Sequence, residues 1–110
     1  MVEETITQIE ARIKQAKSLN DERKKELIDL LSTLKTEVSQ FSKTDAEDAQ
    51  SIIGFTEVSI HEAIREEKHP QLLNLSLKGL STSVKKFENS HPKLVGIVNS
   101  ISNTLSNIGI

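Results

Sequence analysis

The sequence predicts an all-α protein, an antiparallel bundle of four to five amphipathic helices built from helical hairpins. Three observations carry that expectation. Apolar residues recur at alternating spacings of four and three along most of the chain, the period of one helix face and not the period of two that a strand shows. The periodic stretches are divided by short breaks with helix-start or helix-stop chemistry: Ser18-Leu19-Asn20, Thr44 to Glu47, His69-Pro70 and His91-Pro92. A length of 110 residues suits one core and not two. The expected organisation is therefore one helical domain over 1–110, with an N-terminal helical hairpin (1–43), a charged third helix (44–68) and a C-terminal helical hairpin (69–110).

The first helix is expected over residues 2–18, where Val2, Ile6, Ile9, Ile13 and Ala16 form the stripe. Glu3 and Glu4 at its start and Lys14 and Lys17 at its end suit the helix dipole. Asn20 is a good N-cap for a second helix over about 21–42, striped by Leu27, Leu31, Leu34, Val38 and Phe41. Ile28 and Leu30 widen that stripe, so the helix should have more than one neighbour. Thr44 and Glu47 have the spacing of a capping box opening a third helix to about Glu67. Its stripe of Ala49, Ile53, Thr56, Ile60 and Ala63 is thinner, and Gly54 lowers its propensity.

Proline fixes its own φ and pushes the preceding residue out of the α region, so each His-Pro marks a stop followed by a new helix. The fourth helix, about 70–88, carries the seam Leu73, Leu77, Leu80, Val84 and Phe87. Ser76, Gly79 and Ser83 on an adjoining face allow close approach of another helix. The last helix, 92–110, carries Leu94, Val98, Ile101, Leu105 and Ile108. Gly109 is expected in the left-handed conformation of a Schellman stop, with Ile110 folding back on Leu105.

Charge is uneven along the chain. Residues 1–48 hold 19 of the 30 charged side chains, whereas beyond Pro92 the only one is Lys93. The first hairpin should therefore face solvent and the last helix should be covered. Its Asn, Ser and Thr flanks are mediocre helix formers, so the last helix needs a neighbour. That neighbour could be its own bundle, a second copy of the chain or another protein.

Composition excludes several functions. A net charge of −2 supplies no field to gather nucleic acid or an anionic membrane. Phe41, Phe55 and Phe87 are the only aromatics, too few for a base-stacking platform. The absence of cysteine fits a reducing cytoplasm, and the acidic amphipathic start does not read as a signal peptide. No apolar run approaches the ~18–20 residues of a membrane span.

No catalytic or cofactor-binding constellation is legible. Two Glu-x-x-His pairs, Glu66/His69 and Glu88/His91, have the spacing that carboxylate-bridged di-metal bundles use, where both residues face inward from one helix. Here both lie where a helix stops at proline, so they read as turn positions, with a metal-binding bundle as a remote alternative. Glu57, His61 and Arg65 are four apart, with Glu62 and Glu66 beside them, as in a solvated charge ladder. The basic residues around the first turn, Arg12 to Lys25, are interleaved with acids, which argues against a nucleic-acid surface. No phosphate loop or nucleophile elbow is present.

The ending Phe87-Glu88-Asn89-Ser90-His91-Pro92-Lys93-Leu94, followed by the last seam and by Gly109-Ile110, resembles a family of small bacterial proteins classed as a domain of unknown function, of the 4404 type. Ser18 to Arg23 is similar to that family's hairpin turn. The likeness covers about the first 40 and the last 30 residues and leaves the third helix outside it. It implies a small helical protein and transfers no catalytic residue, cofactor or ligand. The expectation for function is a non-enzymatic structural or interaction module. It would act as a homodimer burying part of the fourth and final helices, or as an adaptor offering the uncharged last helix to another protein.

Overall fold

Apolar stripes about one third of a helix wide can be hidden only by other helices, and the computed structural model shows how five of them do so. It describes residues 2–109. The helices are α1 (Val2–Gln15), α2 (Asp21–Ser39), α3 (Ala46–Ile64), α4 (Pro70–Val84) and α5 (Pro92–Gly109), with one 3₁₀ turn at Lys85–Phe87. They close into a ring in which α1 packs on α2, α2 on α5, α5 on α4, α4 on α3 and α3 back on α1, with α3 also touching α5 across the middle. The molecule measures 37 × 25 × 20 Å. The fold is an all-α helical bundle, as the periodicity predicts, and among the described residues no helix is long and apolar enough to cross a membrane.

The stripes read from the sequence are the core. Ile6, Ile9 and Ile13 from α1, Leu27, Leu31 and Leu34 from α2, and Ile53 and Ile60 from α3 are all buried. Burying one such side chain fully contributes about 1.5–3 kcal/mol. Helix ends follow local chemistry. Asn20 caps α2, its side-chain oxygen accepting from the Arg23 backbone N–H at 2.8 Å. The last carbonyls of α1 and α3 accept from lysines: Lys24 Nζ donates to the Lys14 carbonyl at 2.9 Å, and Lys68 Nζ donates to the Ala63 carbonyl. Ser18 Oγ donates to the Ile64 carbonyl at 2.8 Å, which ties the α1–α2 turn to the end of α3. Helices thus stop at Gln15 and Ile64, earlier than the apolar pattern suggests, because these side chains take over the terminal carbonyls.

Two capping expectations are corrected. The capping box at Thr44 does not form: Asp45 occupies the N-cap of α3, with no side-chain cap bond. The chain leaves α2 through successive turns that bring the Thr44 and Asp45 N–H groups to the Phe41 carbonyl, and the Thr44 hydroxyl donates to that same carbonyl at 3.2 Å. The hydroxyl is used backwards and is lost to the helix ahead. Gly109 is not a left-handed stop either, since no described residue has a positive φ and α5 includes Gly109. It is glycine for closeness. A Cβ there would lie 2.5 Å from Leu73 Cδ2 and 3.1 Å from the Ala63 Cα, so the α5 backbone presses on both α4 and α3. Ile110, expected to fold back on Leu105, lies outside the described residues.

Candidate functional site

The ten seam residues of α4, the 3₁₀ turn and α5 lie inside the chain's own bundle. Leu73, Leu80, Leu94, Val98, Ile101 and Leu105 are wholly buried, Leu77, Val84 and Phe87 nearly so, and Ile108 is partly covered. The uncharged last helix is held by α2, α3 and α4 of the same chain. A surface for self-association therefore has to be sought elsewhere.

The two His-Pro turns differ. His69 is exposed at the N-cap of α4, and its carbonyl accepts from the Leu72 and Leu73 N–H groups. His91 is half-buried: its ring centroid lies 5.0 Å from that of Phe41 and 5.6 Å from that of Phe87, and the two phenyl rings stack at 4.5 Å. The second turn is thus an aromatic clasp joining the end of α2 to the start of α5, worth about 0.5–1.5 kcal/mol per pair beyond simple burial. Glu66 and Glu88 are exposed, and among the described residues no three His, Cys, Asp or Glu side chains are grouped to hold a metal ion. The charge ladder of α3 resolves into a Glu62–Arg65 ion pair at 3.0 Å, with His61 Nε2 at 4.0 Å from the Glu62 carboxylate. At the first turn, Arg23 pairs with Glu26 at 3.1 Å.

What the seams do not account for lies on the outside of the α3–α4 hairpin. Phe55, Val58, Leu72 and Leu75 are 39, 47, 45 and 66% exposed, the large apolar side chains left in solvent among the described residues. A single exposed leucine needs no explanation; four of them on two adjacent helices form a patch. The helices come close because their facing sides are small. Thr56, Ser59 and Ser76 are buried between elements, and an edge of the Phe55 ring lies against Gly79, where any Cβ would sit 2.3 Å from the ring. With the ring held there, an open groove of about 700 Å³ runs between Phe55, Leu75, Gly79, Thr82, Lys86 and Asp48.

The groove is closed at one end by a 2.8 Å ion pair from Lys86 Nζ to Asp48. This hydrogen bond, reinforced by the charge of Asp48, raises the Lys86 pKa above its usual 10.5. The helices on either side are opposite in charge. α3 carries Glu47, Asp48, Glu57 and Glu62 with no lysine or arginine, whereas Pro70–Phe87 carries Lys78, Lys85 and Lys86 with no acid. The chemistry this face offers is the burial of apolar surface between oppositely charged flanks. Its sequence signal is large apolar residues off the seam, Leu72 and Leu75 beside Leu73 and Leu77, and Phe55 and Val58 beside the stripe of α3. A search for periodic stripes passes over such residues because they break the period.

Neither a search of curated proteins nor one of solved structures returned a match. Residues 27–110 match the family described as Domain of unknown function (DUF4404). The match includes α3, which the resemblance of the two chain ends had left out, and begins within α2, beyond the Ser18–Arg23 turn. With about three quarters of its length matched, from α2 through the aromatic clasp to the end of α5, this chain belongs to the DUF4404 family.

Proposed function

We propose that this protein is a non-enzymatic interaction module that works as a homodimer joined through the outer face of the α3–α4 hairpin. The observation that carries the proposal is the strip of Phe55, Val58, Leu72 and Leu75 left in solvent by a fold that buries or partly buries the other large apolar side chains among the described residues. Water contact with such a strip is unfavourable at about 25 cal/mol per Å², and a covering partner removes it. The partner is a second copy because one face carries an acidic helix beside a basic one, so it holds both halves of the charge match that a twofold interface requires. The cysteine-free sequence supports a cytoplasmic setting for this role.

Sedimentation equilibrium over a wide concentration range tests the proposal. The expected mass is twice 12.2 kDa, and Leu75→Glu should return the protein to monomer while leaving helix content and monomer stability intact, because Leu75 is 66% exposed. A wild-type protein that stays monomeric at every concentration would overturn the reading.

A further inference from the structure

The hairpin face also determines how two copies must be laid together. Two ion- or ring-level contacts set which residues of the antiparallel helices stand side by side: Asp48 with Lys86 at one end, and Phe55 with Gly79 in the middle. Counting along the helices from these, Ser51 stands level with Ser83, next to Thr82, and Val58 stands level with Ser76, next to Leu75. A twofold axis lying in the face has two simple directions. Running across the hairpin at the Phe55–Gly79 level, it sets α3 on α3 and α4 on α4 with their ends exchanged. Glu47 and Asp48 then stand toward Glu62 of the second copy, Lys85 and Lys86 stand toward its Leu73 and Leu72, and no acid meets a lysine. Running along the hairpin, it sets α3 of each copy on α4 of the other.

We propose that the axis runs along the hairpin, so that α3 of each copy rests antiparallel on α4 of the second copy in a four-helix interface. This rests on the dimer reading above and adds its geometry. The charges then cross. Because the axis keeps each end of the hairpin at the same end, Glu47 and Asp48 of one copy stand opposite Lys85 and Lys86 of the other, and the symmetry makes that match twice. The apolar residues cross as well, Leu75 onto Val58 of the second copy, filling space that each chain leaves open. Like charges directly opposed across an interface disfavour it and opposite ones fix its register; the arrangement across the hairpin sets acid toward acid on α3 and leaves Lys85 and Lys86 of α4 without an acid to meet.

Cysteine cross-linking of the full chain decides the matter, because the protein has no cysteine of its own. Ser51 and Thr82 are both exposed, one on each helix, within one residue of the same level. An oxidised mixture of Ser51→Cys and Thr82→Cys chains should give a disulfide-linked heterodimer, lost when Leu75→Glu is added to both. Charge gives a second readout: Lys85→Glu/Lys86→Glu should be monomeric where the wild type is dimeric, and mixing it with Glu47→Lys/Asp48→Lys should restore a heterodimer. A wild type of dimeric mass whose mixed cysteine variants do not cross-link, and whose lysine reversals still dimerise, would overturn the geometry and leave the dimer standing. A monomeric wild type overturns both.

Discussion

The last helix and the outer face of the α3–α4 hairpin pose the same question and answer it oppositely. α5 is almost without charge, which in sequence looks like a helix waiting for a partner, yet its seam from Leu94 to Leu105 is enclosed by α2, α3 and α4. The α3–α4 face has acids along one helix and lysines along the other, which looks solvated, yet it leaves four large apolar side chains in water. The lesson is that a shortage of charge along a helix does not mark an unpartnered surface, whereas large apolar residues outside the stripe do. Uncharged small flanks let α5 be crowded by its own chain; Leu72 and Leu75 sit on the outer side of the hairpin and stay largely in solvent.

The sharpest way to break the comparison is to place a charge in each region. Ile101→Asp buries an unpaired carboxylate among α5's neighbours and should remove several kcal/mol, abolishing cooperative thermal unfolding. The same kind of change at Leu75 should leave unfolding nearly unmoved and alter only the mass. A glycine pair repeats the contrast more gently. At Gly109 an added methyl meets buried Leu73 and the Ala63 backbone, neither of which can retreat, so Gly109→Ala should destabilise by about 1–3 kcal/mol in denaturant unfolding. At Gly79 the obstacle is the Phe55 ring, which is free to swing into solvent, and alanine gains about 1 kcal/mol of helix propensity. Gly79→Ala should therefore hold or raise the melting temperature while weakening the dimer, whose face loses the Phe55 ring from its place against Gly79. The smallest effect is expected at Ser59, fully buried between helices with no hydrogen-bond partner for its hydroxyl. Ser59→Ala relieves a desolvated polar group and should stabilise by up to about 1 kcal/mol, read from the denaturant midpoint.

Much of this protein is written in local pattern. The 4-3 stripes name the core almost residue for residue, since a side chain's angular position on a helix follows from its number alone. Asn20 as a cap and the prolines at 70 and 92 as helix starts follow from backbone chemistry within a few residues. Three features were decided only by tertiary structure. Thr44 turns its hydroxyl back to the Phe41 carbonyl because the chain must leave α2 through tight turns before α3 can begin. Gly109 stays helical because the space it saves is needed by Leu73 and Ala63, residues 36 and 46 positions away in the chain. And which apolar face remains open depends on how five stripes share a closed ring, a matter of the relative placement of helices that no single helix encodes.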